Sequence, residues 1–371
     1  MQEKEKKLEM GGQAVIEGVM MRSPRGYSIA VRKKDKSIKI KTIPYTPLTK
    51  RIKALGIPFI RGVITLFEML IIGLKGLDYS VNEWEGDYYE DKKGKNKETE
   101  NPDSGNPKEE KSPPKEQKQI TRVAMAGMMI FSLGVALVMT VVIPNLLTHF
   151  VGWIFSLFGG ATQGAEGGSR LVESRSPLLY NLVSGFFRAC ILIAYIWVIS
   201  LSKNIRRVFE YHGAEHMAVF AFEDNKPLTL ENVRPYTTRH PRCGTTFLGV
   251  VIIISIIIFA FIAKLIVMIY PPFMEMQLIL RKLIIIAFHI VCMPLVAGIS
   301  YEIIKYGSRH LQNPLTRLLT MPGLLSQYLT TKKPDDEQLQ VSIASLNAAL
   351  SIDAEQKEPR LTILLPDDAP N

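Results

Sequence analysis

The chain predicts a mainly α-helical membrane protein, with four transmembrane helices, a small N-terminal β element and an interfacial amphipathic helix. Three observations carry this. Hydrophobic residues make up 47% of the sequence and cluster in long runs rather than spreading evenly. Basic residues gather in loops on one side of those runs. The apolar pattern between residues 11 and 47 has the two-residue period of strands, not the period of helices.

Val123 to Leu147, Leu178 to Leu201, Phe247 to Tyr270 and Leu283 to Ser300 are the predicted spans. A bilayer core of about 30 Å needs roughly 20 apolar residues, which each run approaches or exceeds. The start of the chain, Met1 to Met10, is charged and does not resemble a secretory signal. The formal charge of +10 could indicate nucleic-acid binding, but its distribution argues against that partner. Lys203, Arg206, Arg207, Lys226, Arg234, Arg239 and Arg242 lie between the second and third spans, and Lys305, Arg309 and Arg317 follow the fourth. The positive-inside bias places these segments and both termini in the cytoplasm of a multi-pass inner (plasma) membrane protein. Lys264, Arg281 and Lys282 fall on the outer side, within reach of an interface. The expected partner of this basicity is the anionic lipid bilayer.

Residues 1–56 form the predicted β region. Ala14 to Met21 reads as one apolar strand with Glu17 inside it, and Tyr27, Ile29, Val31, Ile38 and Ile40 continue the alternation as a hairpin. In 57–77, Arg61, Glu68 and Lys75 recur every seven residues. They therefore form one charged stripe on an otherwise apolar helix, as expected at an interface or against a bundle. Residues 85–120 are rich in Lys, Glu, Asn and Pro and predict a disordered linker. Residues 121–330 hold the spans and a cytoplasmic loop at 202–246. The 331–371 tail opens a helix at Pro334-Asp335-Asp336-Glu337, and Leu339, Ile343, Leu346 and Leu350 mark the face that docks it.

The chemistry gathers in the cytoplasmic loop. Tyr211-His212-Gly213-Ala214-Glu215-His216 puts two imidazoles one helical turn apart with a carboxylate beside them. This is the H-x-x-E-H spacing in which His ligates zinc and Glu serves as base. The bland reading is a helix face turned to water. A second cluster, Arg239-His240-Pro241-Arg242-Cys243-Gly244-Thr245, offers two more donors on a tight turn. Glu302, just past the last apolar run, is a further candidate, with a salt bridge to Lys305 or Arg309 as its alternative. The third metal position thus falls to His240, Cys243 or Glu302. If His240 and Cys243 both joined the pair, the tetrahedron would close and the zinc would be structural. Cys243 also permits a nucleophile or redox thiol. Cys190 and Cys292 lie in apolar runs and read as packing residues, as His149, His289 and His310 read as packing or surface residues.

Gly11-Gly12-Gln13-Ala14-Val15-Ile16-Glu17-Gly18-Val19-Met20-Met21-Arg22, the two loop clusters and Ile299-Ser300-Tyr301-Glu302 together resemble the YqhQ-like family of bacterial membrane proteins. The likeness extends to Pro322-Gly323-Leu324-Leu325 and Pro334 to Leu339, with Met217 standing where the family usually has Lys. The resemblance implies a membrane protein carrying the label of a metal-dependent enzyme. The expectation is a zinc-dependent hydrolase, a peptidase among the candidates, with Glu215 as base and a protein or peptide substrate. The rival expectation is a non-catalytic membrane scaffold or assembly factor whose His/Cys cluster is structural. A transporter ranks below both, because the spans carry few ionisable groups at mid-depth.

Overall fold

A computed structural model describes residues 10–99, 127, 130–132, 134–135, 138–158, 177–307, 310, 313–354 and 360–365. They group into two compact units, one drawn from Met1–Asp91, Ile196–Ser255 and Ala287–Asn371, the other from Lys92–Tyr195 and Ile256–Ile286.

The first unit is built on an antiparallel meander of five strands: β1 (Gly11–Val15), β2 (Gly18–Ser23), β3 (Gly26–Arg32), β4 (Ile38–Pro44) and β5 (Arg360–Leu364). The apolar run at 14–21, predicted as one strand, is two. Val15 pairs with Gly18 across a turn at Ile16-Glu17, and Glu17 takes a left-handed φ of 50°. A non-glycine residue there costs of order 1–3 kcal/mol. Its bonds offset the cost: Arg207 donates to the Glu17 carboxylate through Nε (2.6 Å) and Nη2 (2.5 Å), and the Tyr211 hydroxyl adds a third contact at 3.2 Å.

Alternation gives the sheet two apolar faces. Val19, Met21, Ala30, Ile38 and Ile40 pack with the helices α4 (Lys203–Glu223) and α8 (Asp336–Ala354). Val15, Met20, Tyr27, Ile29 and Val31 pack with Ile72 of the helix α1 (Ile60–Thr99). With both faces covered, β3 is buried along its whole length. The tail docks as its apolar spacing predicts. Asp335 caps α8 by accepting the Gln338 N–H (2.7 Å), while Gln338 accepts the Asp335 N–H (2.9 Å) in return. The sequence reading missed β5. It pairs in register from Ile38↔Leu364 to Thr42↔Arg360, so residues far apart in the chain share one sheet.

Of the charged stripe on α1, Arg61 and Glu68 turn inward while Lys75 is exposed. Arg61 pairs with Glu302, and the buried Glu68 accepts the Tyr45 hydroxyl and the Leu48 N–H. Phe67, Leu70, Ile71 and Leu74 lie exposed on the other side. The helix also runs on through Thr99, into the predicted linker. Asp91 and Lys95 sit there at the i,i+4 spacing that supports a helix. Residues 100–120 of that linker lie outside the described residues.

Among the described residues, three helices are long and apolar enough to cross a membrane, through Leu179–Ser200, Gly244–Ile269 and Leu283–Gly307. They belong to α3 (Pro177–Ser200), α5 (Gly244–Ile269) and α6 (Leu278–Gly307). The first predicted span, 123–147, is described only in part: a π turn at Val138–Val142 leads into α2 (Ile143–Phe158), which by itself is shorter than a span. In the second unit the Tyr180 hydroxyl of α3 donates to Asn145 Oδ1 (3.2 Å) and lies 3.4 Å from His149 Nε2, both on α2. His149, expected to have no specific partner, therefore belongs to a small polar cluster. Between α6 and α8 lies α7 (Pro314–Thr330), capped by Asn313.

Candidate metal centre

The helix α4 supplies two imidazoles and a carboxylate. Its Tyr211, Ala214, Met217, Ala218 and Val219 are buried in the core, which fixes the rotation of the helix. His212 and His216 then stack one turn apart, with ring centroids 4.5 Å from each other. The His212 Nδ1 lies 2.9 Å from the Thr330 carbonyl, and the His216 Nδ1 lies 2.5 Å from the Thr238 carbonyl. A carbonyl can only accept, so each Nδ1 carries the proton and each Nε2 keeps its lone pair.

The His212 lone pair meets Cys243, and His216 lies beside both. Its Sγ lies 3.1 Å from His212 Nε2, and one donor atom from each of His212, His216 and Cys243 falls within 4.8 Å of the others. Zn–N bonds of about 2.0 Å and Zn–S bonds of about 2.3 Å put tetrahedral ligands roughly 3.5 Å apart, so this spacing fits a small divalent ion. The sulfur also accepts from the Thr245 N–H (3.4 Å) and Oγ1 (3.3 Å). The donor set, two imidazoles held by carbonyls plus one sulfur, is the kind that binds zinc.

Glu215 stands beside this cluster. Its Oε2 is 3.4 Å from His216 Nε2, and the side chain is 5% exposed. Strand β1 crosses directly over it: a Cβ on Gly12 would come within 2.8 Å of Glu215 Cγ, so the close approach requires glycine. Burial pushes the Glu215 carboxyl above the usual carboxylate range, against the pull of His212, His240, the Gly12 N–H and Arg242. Burial also pushes His216 below the usual imidazole range, with Cys243 and the Thr238 carbonyl opposing, and His240 moves down for the same first reason.

Two of the expected ligands are committed elsewhere. His240 lies close, its ring 5.7 Å from that of His216, but its Nδ1 accepts the Arg242 N–H (3.2 Å) and its Nε2 faces Glu223 at 3.4 Å. Because its Nδ1 takes a backbone N–H, the ring proton of His240 sits on Nε2, the opposite tautomer to His212 and His216. Glu302 is held bidentately by Arg61, at 2.7 Å to Nε and 2.5 Å to Nη2, rather than by Lys305 or Arg309 as the sequence reading allowed. Among the described residues, the group able to hold an ion is His212, His216 and Cys243.

Sequence reasoning missed Gln327 on α7. Fully buried, it accepts the His240 N–H (2.8 Å) and donates to the His240 carbonyl (2.8 Å) and Thr246 Oγ1 (2.9 Å). It fixes the turn that presents Cys243. It also missed the Thr238 and Thr330 carbonyls, which have no side-chain signature to find.

A family model described as "Protein of unknown function (DUF1385)" matches residues 57–352. The Bacillus subtilis (strain 168) "Uncharacterized protein YqhQ" is 30% identical over 352 residues, covering 93% of this chain and 93% of that protein. No solved structure matches.

Proposed function

The chain belongs to the DUF1385 family, whose description names no activity, and we propose from the site alone that it is a zinc-dependent hydrolase working at the cytoplasmic face of a membrane. The observation that carries this reading is the orientation of the two imidazoles. Both Nδ1 atoms are spent on backbone carbonyls, which leaves the Nε2 lone pairs for a cluster in which one donor atom from each imidazole and the Cys243 sulfur lie within 4.8 Å of one another. With His240 and Glu302 engaged elsewhere, three protein ligands leave a position open, as catalytic zinc sites do. The chemistry such an ion supplies when bound is Lewis acidity, polarising a carbonyl and acidifying a neighbouring water. Glu215 lies where it can take that proton, and its raised pKa suits a group that must later give the proton to a leaving amine or alkoxide. The substrate class proposed is a peptide or protein.

Connectivity supports this placement in the membrane. Strands β1–β4 and β5 share a sheet, and α4, which joins α3 to the start of α5, packs on it. In this reading these stretches share one side of the bilayer, and the apolar sequence around 123–158 supplies a fourth span. The basic residues of the shared side favour the cytoplasm.

A non-catalytic scaffold is the second reading, favoured by the depth of His216, which is 2% exposed. Metal analysis of the purified full-length protein separates them. One ion per chain is expected in the wild type, with loss in His212→Ala and Cys243→Ser. A hydrolase further predicts that Glu215→Gln keeps the ion and loses hydrolysis of a peptide library. Wild-type protein that stays metal-free under metal-replete conditions removes the proposal.

A further inference from the structure

Helix α7 is amphipathic in the reverse sense. Its buried positions are Thr316, Thr320, Gly323, Gln327 and Thr330, while Leu315, Leu318, Met321, Leu325 and Tyr328 are each more than half exposed. The exposed set follows steps of three and four residues, so it forms one continuous apolar face. Turning leucines outward and threonines inward is unfavourable in water. It is the arrangement expected where the surroundings are hydrocarbon.

The neighbours of α7 agree. It crosses α5 at backbone contact: a Cβ on Gly249 would lie 2.6 Å from the Gly323 N, and one on Gly323 would strike the Thr246 backbone. Crossings through small residues are the way helices associate in bilayers, where close backbone packing replaces hydrophobic drive. Gly249 is five residues into an apolar helix long enough to span, about 8 Å along its axis at 1.5 Å per residue. That puts the crossing at or below the headgroup layer. The flanks are basic: the Arg239 guanidinium lies over the Tyr328 ring, 4.2 Å from its centroid, and Arg317 and Lys333 are exposed at either end. An aromatic ring with an arginine on it, beside apolar residues, matches the boundary between acyl chains and anionic headgroups.

We propose that α7 lies in the cytoplasmic leaflet with its Leu318–Leu325 face among lipid acyl chains, and that it anchors the His/Cys centre at the bilayer surface. The anchoring runs through its opposite face, because the Thr330 carbonyl holds His212 and Gln327 holds the His240 turn. The occupant of the exposed face is lipid, not a second copy of the chain, because α7 packs at backbone contact on an apolar helix long enough to span and carries a basic rim. The inference stands whether or not the centre holds an ion.

The test is fluorescence quenching in proteoliposomes. Leu318→Trp and Leu325→Trp each replace one exposed apolar residue with another and leave the buried face intact. The added emission, measured against the parent protein, should fall by more than half when the lipid acyl chains are brominated near the headgroup end. It should resist aqueous acrylamide. Strong acrylamide quenching with no effect of bromolipid would place the helix in water. Quenching by neither would place the face against protein. Either outcome overturns the proposal.

Discussion

Gln327→Met should loosen the candidate centre without touching a ligand. The substitution roughly conserves volume but removes three hydrogen bonds in a site with no exposure. The His240 carbonyl keeps a long contact from the Cys243 N–H at 3.4 Å, whereas the His240 N–H loses the one partner identified for it. A buried orphan donor costs about 1–3 kcal/mol and each further lost bond about 1 kcal/mol. Burying a thioether in place of an amide returns about 1 kcal/mol, on the order of one buried methylene. The net loss is about 2–4 kcal/mol. For a folded body of this size each kcal/mol moves Tm by roughly 2–4 °C, so a fall of about 10 °C is expected in thermal unfolding followed by circular dichroism. Because Gln327 positions the turn bearing Cys243, zinc affinity should weaken by about 10–100-fold, as for other groups that orient ligands. A variant that melts within about 2 °C of the wild type and binds zinc equally well would refute the role assigned to Gln327.

Further outcomes follow from the same geometry. Glu215→Gln should abolish hydrolysis yet stabilise the protein at neutral pH, by about 0.5–2 kcal/mol. Burial raises the Glu215 pKa, so the folded state holds a proton that the unfolded chain releases, and wild-type stability falls as pH rises above the usual carboxyl value of 4.5. Melting curves of wild type and variant across that window should converge at the acid end, and parallel curves would count against the assignment. In the Glu215→Gln background, metal-free protein should lose stability as pH drops below 6.5. His216 and His240 have lowered pKa values, so the unfolded chain takes up protons there that the folded chain does not. A flat melting profile from pH 7 to about 5 would contradict this. Glu302→Gln should leave metal content unchanged, while costing about 1 kcal/mol by weakening a partly exposed ion pair with Arg61. Metal loss in that variant would restore Glu302 as a ligand.

The parts of the molecule that sequence foretold are those written in local periodicity. Hydropathy marked α3, α5 and α6, and the acidic start at Asp335 marked α8. The i,i+4 spacing put His212 and His216 together. Pairings made over distance were not legible. Nothing local says that Arg61 finds Glu302, or that Arg360 to Leu364 return to β4. Neither central residue of the turn, Ile16 or Glu17, is the Asn or Gly that normally signals a left-handed residue; Arg207 and Tyr211 hold Glu17 from α4. Nor does anything local say that the His240 ring nitrogens meet the Arg242 N–H and Glu223 while Cys243 meets His212.

The interleaved sheet has a consequence for how the protein is made. Gly12 over Glu215, the Thr238 carbonyl on His216 and the Thr330 carbonyl on His212 come from three stretches of chain with membrane helices inserted between them. During synthesis the early strands wait, with β4 lacking its β5 neighbour, until the spans have been threaded into the bilayer and residues 330–364 have left the ribosome. A nascent or prematurely terminated chain therefore carries His212, Glu215 and His216 without the Thr330 carbonyl that orients the first of them.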